Sequence, residues 1–407
     1  MNEIKKILRI SFFLLMIIFL ITTAYSGMSI STLESKTSVL TNESYNYFTY
    51  PEMTSLLHDL ADEYPDIVHL ESIGTTYHGR SIWMVKLSKN ASVEEDQPGI
   101  LLMGAHHGNE KPSFEAVIFF IQFVVEMYYE NQSKNPNSII NRDLIEQLYD
   151  DNSGIMKEDL SAERVREVLN KTQIYCIPMV NPDGVAANTR KNRAPNYGPD
   201  GKSDVITSYG VDLNRNYGFR WFLPYLFKEN YFFEWLTDDR SGIYRGTHPF
   251  SELESTALKN FVETKNIAIS LSYHDWGEWM IFPWMHSSAW VPHERMFRSV
   301  GENMSRINEY ELRIYGQYGE REYVIPRFQG TVGTSENWLY ARRNILAYTI
   351  ELCPYRSPSN PAIVYDACYR HLGVNLYVAE RSWTIEEEKL TTYKPTMSQP
   401  FFFNLFF

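Results

Sequence analysis

Residues 99–110 read GILLMGAHHGNE, a short apolar run followed at once by two histidines, an asparagine and a glutamate. Such a run is typical of a strand buried on both faces of a sheet, and the glycine after it allows the chain to turn. A strand that ends in this way delivers polar side chains to the edge of a sheet, where open α/β folds place their sites. The stretch therefore predicts an α/β fold with a functional site at the end of this strand.

Apolar runs and helix-type spacing alternate along the rest of the chain. The pattern predicts strands near residues 69–73, 81–88, 173–180, 267–273 and 345–352, and helices near 53–63, 112–129, 251–263 and 361–380. Residues 131–170 are polar, which favours a surface excursion. Strands alternating with helices, without internal repeats, predict a single α/β domain whose mixed sheet is flanked by helices on both faces.

The beginning of the chain has the layout of a secretory signal peptide. Lys5, Lys6 and Arg9 precede an apolar run over residues 10–21, and small residues follow it. The run is short for a membrane span, which needs about 20 residues, but an uncleaved N-terminal anchor that tethers the protein to a membrane stays an alternative. We therefore expect a protein that is secreted, or anchored in a membrane and facing outward.

The chain divides into four parts on this interpretation. They are a signal peptide or anchor at 1–26, a Ser/Thr-rich linker at 27–45, a catalytic domain at 46–382 and a tail at 383–407. The tail ends in MSQPFFFNLFF, which is too short to span a membrane.

Composition limits the classes of partner. The 407 residues carry a formal net charge of -12, with 44% hydrophobic and 15% aromatic residues. This charge argues against nucleic acid or an anionic membrane surface as a partner, because either requires a clustered basic surface. The three cysteines are too few for a disulfide scaffold; Cys353 and Cys368 could form one bridge, or all three could be buried free thiols.

Two histidines and a glutamate are candidate metal ligands. His107 and Glu110 stand three residues apart, a spacing that lets both converge on one cation, although such a pair alone is a weak signal. His274 ends the apolar run AISLSYH and so reaches a strand end as well. Two histidines and one glutamate leave a tetrahedral zinc ion a fourth position for water.

A hydrolase of this kind also needs a base and a donor for the developing oxyanion. Glu351 lies near the end of the apolar run NILAYTIEL, where packing gives no reason for a carboxylate. Arg190 lies in TRKNR, shortly after NPDG, although a solvated basic loop is an equally good interpretation of that segment alone.

Seven motifs, in order, resemble those of the M14 family of zinc carboxypeptidases over residues 46–382. The motifs are YHGRSIWMVKLS, HGNE at 107–110, NPDG at 181–184, RKNR at 190–193, GVDLNRN at 210–216, SYH at 272–274 and TIEL at 349–352. The resemblance implies a single domain with a twisted, mixed sheet of mostly eight strands, one Zn2+ ion per chain, and hydrolysis of peptides or proteins at their C-termini.

The resemblance also implies residue roles. His107, Glu110 and His274 would hold zinc, a ligand set that is carried over from the family because the His2Glu site is known from carboxypeptidase A. Asp212 matches the carboxylate that orients the first zinc histidine. Asn214 and Arg215 match the pair that binds the substrate's terminal carboxylate. Arg190 matches the group that polarises the scissile carbonyl, and Glu351 matches the base for the attacking water.

The sequence GTSENW at 333–338 bears on the preferred C-terminal residue. In the family, the position two before this tryptophan lies at the base of the side-chain pocket, and here it is Glu336, which implies a preference for Lys or Arg. If Glu336 instead faces solvent, the preference would be broad or apolar. The family commonly has a mobile tyrosine where this chain has Gln329, with Tyr323 nearby, which implies a weaker grip on the terminal carboxylate.

Two other functions compete with this hypothesis. One is a zinc amidase or deacylase that acts on an acyl amino acid or a cell-wall peptide, and Asn214 and Arg215 argue against it because they suit a peptide carboxylate. The other is a metal-free binding module, which would have lost a ligand or the base. His106 has no role implied by the family, and we expect backbone groups to satisfy its ring.

Overall fold

The computed structural model describes residues 44–129, 160–223, 231–286, 291–314 and 331–392. The helices within these ranges are α1 (Tyr50–Glu63), α2 (Pro112–Tyr129), α3 (Ala162–Lys171), α4 (Pro182–Ala187), α5 (Tyr231–Thr237), α6 (Leu253–Glu263), α7 (Glu294–Asn308), α8 (Ser335–Arg343) and α9 (Pro361–Thr392). The strands are β1 (Val68–Thr75), β2 (Ser81–Leu87), β3 (Gly99–Met103), β4 (Gln173–Ile177), β5 (Pro195–Asn196), β6 (Ser208–Tyr209), β7 (Ile267–Asp275), β8 (Trp279–Phe282), β9 (Glu311–Ile314) and β10 (Leu346–Leu352).

Eight of these strands form one mixed sheet in the order β1-β2-β4-β3-β7-β10-β8-β9, and β5 pairs with β6. The four central strands, β4, β3, β7 and β10, run parallel to one another. Strands β1, β2 and β4 are joined by antiparallel pairings, and β8 is antiparallel to β10. Because β4 follows β3 on one side and β7 lies on the other, the strand order reverses at β3, which is where a parallel sheet opens a crevice for ligands.

Helices cover both faces of the sheet, and strand β3 shows how the sequence fills both layers. Ile100 and Leu102 join the core that contains α2 and α9, whereas Leu101 and Met103 join the core that contains α6 and α8. A strand buried on both faces requires the continuous apolar run that the sequence has. The predicted fold, a single α/β domain with an eight-stranded mixed sheet between helices, is confirmed.

Several elements differ from the pattern-based prediction. Helix α4 begins within NPDG, because Asn181 caps it by accepting from the backbone N–H of Gly184. Helix α9 continues to Thr392, so the proposed domain boundary at residue 382 falls inside it. Trp383 hydrogen-bonds Thr172, and Ile385 is fully buried, so this extension packs against the domain. Elements α5, α7, α8, β5, β6, β8 and β9 were not predicted.

The three cysteines all carry free, buried thiols, so the alternative of a Cys353–Cys368 bridge is wrong for this structure. Burial raises the pKa of all three thiols, which makes them unreactive core residues. The N-terminal signal or anchor, most of the polar excursion and the Phe-rich end of the tail lie outside the described residues. None of the described helices is both long enough and apolar enough to cross a membrane.

Candidate active site

His107, Glu110 and His274 converge at the C-terminal edge of the central strands. The carboxylate of Glu110 lies between the two rings, with Oε1 2.8 Å from Nδ1 of His107 and Oε2 2.9 Å from Nδ1 of His274. The two Nδ1 atoms are 3.1 Å apart, and all three side chains are buried. A tetrahedral zinc ion with bonds of about 2.0–2.1 Å keeps its ligand atoms about 3.3 Å apart, so this donor set fits one zinc ion with little adjustment.

The turn after β3 aims the two adjacent histidines in different directions. Ala105 has a positive φ of 49°, which is uncommon for a residue with a side chain. Hydrogen bonds hold it there, because its N–H donates to Ser113 Oγ and its carbonyl accepts from Asn181 N–H. The result is that His107 faces Glu110, while His106 turns into the core.

Glycines let the HGNE and NPDG motifs touch. A Cβ on Gly108 would overlap the backbone of Gly184 and Val185, so only glycine fits this approach. The contact places α4 and the chain that follows it, which carries Arg190, against the metal-site turn.

Asp212 occupies the position expected for a carboxylate that orients a zinc histidine. It is fully buried, and its Oδ1 lies 3.1 Å from Nε2 of His107, the ring nitrogen that faces away from the cluster. Burial alone would raise the pKa of Asp212, but Arg190 and His107 hold that pKa well below its ordinary value. The ionised carboxylate therefore favours a proton on Nε2 and leaves Nδ1 free to bind a metal.

Arg190 lies beside the cluster instead of in a solvated loop. Its Nε is 3.0 Å from Asp212 Oδ2, and its Nη1 is 3.2 Å from Glu110 Oε1. Burial would lower its pKa, and the two carboxylates outweigh burial and raise that pKa, so the guanidinium stays charged. The structure thus brings this cation to the wall of the cavity that contains Glu110.

Glu351 lies next to His274 across the parallel pair of β10 and β7. Its Oε2 accepts a hydrogen bond from the backbone N–H of Trp276 at 3.1 Å. Burial raises the pKa of Glu351 to about 7, a shift that Glu110 adds to and His274 opposes. A carboxylate held at the cavity wall in this way can accept a proton, as a general base must.

Asn214 and Arg215 lie in a short 3-10 turn, Leu213–Arg215, and line the same cavity. Asn214 is fixed because its Oδ1 accepts from the N–H of Ser335 at 2.8 Å, and its Nδ2 faces His274 at 3.3 Å. Gly333 packs on the carbonyl of Arg215 with a positive φ of 65°, so a side chain there would collide with it. The GTSENW segment therefore supports the turn that carries these two residues.

Glu336 is not solvent-exposed, and it does not line the described cavity. It lies in the first turn of α8 and is fully buried; its Oε1 accepts from Ser335 Oγ at 2.9 Å. Its Oε2 is buried without a hydrogen-bond partner among the described residues. The alternative in which Glu336 faces solvent is therefore wrong.

The cavity holds about 280 Å³ and includes residues that the sequence analysis missed. Trp276 and Trp279 follow His274 closely, and Trp276 is 47% exposed, which is unusual for a tryptophan. Two tryptophans directly after a strand-terminal ligand were the signal that could have identified them. The other missed lining residues are Asp275, Ile281, Met285, Thr331, Thr349 and Arg356.

His106 is satisfied by side chains, not by the backbone groups that we expected. Its Nε2 lies 2.9 Å from the hydroxyl of Tyr217, and its Nδ1 lies 3.2 Å from Ser272 Oγ. Gln329 and Tyr323, which bear on the family's mobile tyrosine, lie outside the described residues.

The fold and the chain both have known relatives. A crystal structure of thrombin activatable fibrinolysis inhibitor superposes with a TM-score of 0.62 and 19% identity over 83% of this chain and 75% of that one. A zinc carboxypeptidase of Saccharothrix mutabilis subsp. capreolus is 24% identical over 76% of this chain, which spans 63% of that relative's length. Carboxypeptidase B of Astacus astacus is 24% identical over 75% of this chain and 86% of its own length.

The sequence model of one family covers most of the chain. The Peptidase_M14 model, described as zinc carboxypeptidase, matches residues 53–364, a range that contains every candidate ligand and catalytic residue described above. The chain therefore belongs to the zinc carboxypeptidase family, a family of zinc-dependent peptidases.

Proposed function

We propose that this protein is a zinc metallocarboxypeptidase that hydrolyses the C-terminal peptide bond of peptides and proteins. The observation that carries the proposal is that the buried cluster of two histidines and a glutamate shares one cavity with Glu351 and Arg215. Such a cavity combines a metal site, a base and a cation for a substrate carboxylate.

When bound, zinc would polarise the attacking water and the scissile carbonyl as a Lewis acid. Glu351 takes a proton from that water and passes it to the nitrogen of the leaving amine. Its hydrogen bond from Trp276 N–H holds one carboxylate oxygen in place while the side chain lines the cavity. The base is thereby positioned before the substrate arrives.

Three polar side chains bind and orient the peptide in this proposal. Arg215 and Asn214 receive the terminal carboxylate, since an arginine fork matches a carboxylate with two parallel hydrogen bonds. Arg190 donates to the oxygen of the scissile carbonyl, where negative charge develops. Its contacts with Asp212 and Glu110 fix its position at the cavity wall.

Matched peptides with free and amidated C-termini test this function. A carboxypeptidase releases the last residue from the free peptide and leaves the amide almost untouched, because the amide gives Arg215 no charge to pair with. Equal cleavage of both forms would contradict terminal-carboxylate recognition. Preferential hydrolysis of N-acyl amino acids or cell-wall peptides would instead favour an amidase or deacylase.

The preference for a basic C-terminal residue is the finer part of the proposal. The unpartnered Oε2 of buried Glu336 supports it, because a buried carboxylate oxygen without a partner is costly and an incoming ammonium or guanidinium would supply one. Met285, Ile281 and Thr349 line the cavity, whereas Glu336 does not. The proposal therefore requires a long basic side chain to reach past the lining residues to the carboxylate.

Values of kcat/KM on peptides ending in Arg, Lys, Leu and Phe measure this preference. We expect Arg and Lys to be favoured, and Glu336→Ile to remove the advantage while Glu336→Asp keeps part of it. Leu or Phe released as fast as Arg, or an unchanged ratio in Glu336→Ile, would show that Glu336 does not select the side chain.

Export, with or without a membrane tether, is proposed from Lys5, Lys6, Arg9 and the apolar run at 10–21. Cell fractionation with N-terminal sequencing of the mature protein distinguishes the two forms. A new N-terminus after the apolar run supports secretion, an intact one in the membrane fraction supports a tether, and an intact one in the cytosol contradicts export.

A further inference from the structure

The second ring nitrogen of His274 has two polar neighbours. Its Nδ1 faces His107 and Glu110, so in the proposed site this atom binds the metal. Its Nε2 lies 3.3 Å from Ser272 Oγ and 3.3 Å from Asn214 Nδ2. A neutral imidazole that binds a metal through Nδ1 carries its proton on Nε2, and that N–H needs an acceptor.

Only one of the two neighbours can accept this proton. The amide of Asn214 is oriented by Ser335, whose backbone N–H donates to Oδ1 at 2.8 Å, so the NH2 group of Asn214 faces the ring. An amide NH2 donates and does not accept. Ser272 Oγ is therefore the acceptor for the Nε2 proton of His274.

The hydroxyl hydrogen of Ser272 has its own acceptor. Nδ1 of His106 lies 3.2 Å from Ser272 Oγ, and Nε2 of His106 lies 2.9 Å from the hydroxyl of Tyr217. Each member can donate to the next, in the direction His274 to Ser272 to His106 to Tyr217. All four side chains are at most 2% exposed, so water does not compete with these bonds.

We propose that Ser272, His106 and Tyr217 form a hydrogen-bonded chain that fixes the tautomer and ring orientation of His274 and thereby strengthens zinc binding. The proposal rests on the proposed function, in which His274 is a zinc ligand. Ser272, His106 and Tyr217 contact neither the metal nor the substrate in the proposed site, so they are positioning residues that act through His274.

The two zinc histidines would then be oriented by different chemistry. His107 has a buried carboxylate, Asp212, on its outer nitrogen, whereas the outer nitrogen of His274 has a neutral hydroxyl. The ring of His106 also stacks on that of His274, with centroids 5.7 Å apart and planes inclined by 16°. An apolar residue in place of His106 would leave the hydroxyls of Ser272 and Tyr217 without these partners in the core.

Strand β7 provides a matched control. Ser270 lies two residues before Ser272 on the same face of the strand, is equally buried at 1% exposure, and has a hydroxyl without a hydrogen-bond partner among the described residues. Replacing Ser270 by alanine removes a hydroxyl oxygen from the same strand but leaves the hydrogen bonds between His274, Ser272, His106 and Tyr217 in place.

The test compares wild type with Ser272→Ala, Tyr217→Phe and Ser270→Ala in the full-length protein. Zinc dissociation constants come from chelator competition, and the cobalt-substituted proteins are compared by their visible absorption spectra. We expect Ser272→Ala to weaken zinc binding by about 10- to 100-fold and to shift the cobalt bands. Tyr217→Phe should act in the same direction to a smaller extent, and Ser270→Ala should match wild type.

The double variant Ser272→Ala/Tyr217→Phe distinguishes a connected series of hydrogen bonds from two independent structural effects. Independent effects on zinc binding would add together, whereas effects that pass through Ser272 would not. Because Ser272→Ala already breaks the hydrogen bonds that connect His274 to His106 and Tyr217, adding Tyr217→Phe should weaken zinc binding no further. If Ser272→Ala does not fold, Tyr217→Phe alone decides, and an unchanged dissociation constant and cobalt spectrum in it overturn the proposal. The same unchanged values in a folded Ser272→Ala overturn it too. A wild type that binds no zinc overturns the proposed function itself, so the two failures are distinguishable.

Discussion

The reactivity of single side chains in this cavity depends on which of their atoms are already held by hydrogen bonds. One oxygen of Glu351 is fixed by Trp276 N–H, and Arg190 is fixed by Asp212 and Glu110. Fixed groups need no rearrangement as charge develops in the transition state. Substitutions at Glu351 and Arg190 should therefore lower turnover more than they weaken substrate binding.

Glu351→Gln should keep the fold and the zinc while kcat falls by about 10²- to 10⁴-fold, because the amide has the same shape but cannot accept the proton of the attacking water. Steady-state kinetics on protein of measured zinc content checks this. Undiminished kcat in a zinc-loaded variant would assign the base to another residue.

Arg190→Ala should reduce kcat by about 10²- to 10³-fold, since one donor to the developing oxyanion is lost. Because Arg190 also contacts Asp212 and Glu110, the zinc content of the variant is the necessary control. A variant that raises KM alone, with kcat unchanged, would mean that Arg190 binds the ground state and not the transition state.

The residue scale also shows what the sequence could and could not predict. The positions of His107, Glu110, His274 and Glu351 were predicted because each lies where an apolar run ends. The hydrogen-bond partners of His106 were not predicted, because Tyr217 lies far from His106 in the sequence and no local pattern connects the two residues.

At the scale of elements, the site depends on how closely two loops approach each other. The turn after β3 and the start of α4 meet at Gly108 and Gly184, and the overlap that a Cβ would cause there involves backbone atoms, which cannot move aside as a flexible side chain can.

Gly108→Ala should therefore destabilise the protein by about 1–3 kcal/mol or more and weaken zinc binding, because it separates the two loops. The matched control is Gly242→Ala, where a new Cβ meets nothing within 4 Å. Urea unfolding of both variants measures the difference, and equal midpoints would show that the contact between the loops is not tight.

A buried carboxyl group joins the N-terminal residues of the described domain to α2. Glu115 accepts from the N–H of Phe48 at 2.6 Å and from the hydroxyl of Tyr45 at 3.0 Å. Burial raises its pKa from 4.5 to about 8, although these hydrogen bonds oppose the shift. The folded state thus binds the proton more tightly than the unfolded state does.

The free energy of unfolding should consequently include a contribution from Glu115 that is complete below pH 4.5 and is lost as pH rises through about 8. Glu115→Gln should lose less stability than wild type between pH 5 and pH 9, as measured by urea midpoints at both values. The same decrease in both proteins would contradict a raised pKa. A residual slope is expected, because burial also raises the pKa of Glu254 to about 8.

Element boundaries were predictable where apolar runs are long and uninterrupted, as in β3 and β7. Strand β8 and helix α8 were not predicted, because β8 is only four residues long and α8 only nine, and both contain polar or aromatic residues that suit several structures. Helix α9 was predicted too short, because the polar sequence after Trp383 does not indicate that the last turns of this helix pack against the domain.

At the scale of the whole molecule, the sheet brings together residues that are far apart in the chain. The candidate metal ligands and Glu351 lie at the C-terminal edge of β3, β7 and β10. Strand β3 lies next to β7 although strands β4, β5 and β6 and five described α-helices, α2 to α6, separate them in sequence. Sequence pattern predicted the strand ends and the family resemblance implied a mixed sheet of mostly eight strands, but only the structure gives the strand order. The roles of Glu336 and of the segment around Gln329 stay predictions.

We propose that one zinc ion, held by His107, Glu110 and His274, serves the removal of C-terminal residues. The most direct measurement is zinc content against release of C-terminal amino acids in the same purified protein, before and after chelation and after zinc is restored. We predict one zinc ion per chain, loss of release on chelation and recovery with zinc. Protein with less than about a tenth of an equivalent of zinc that is active and insensitive to chelator would contradict the claim.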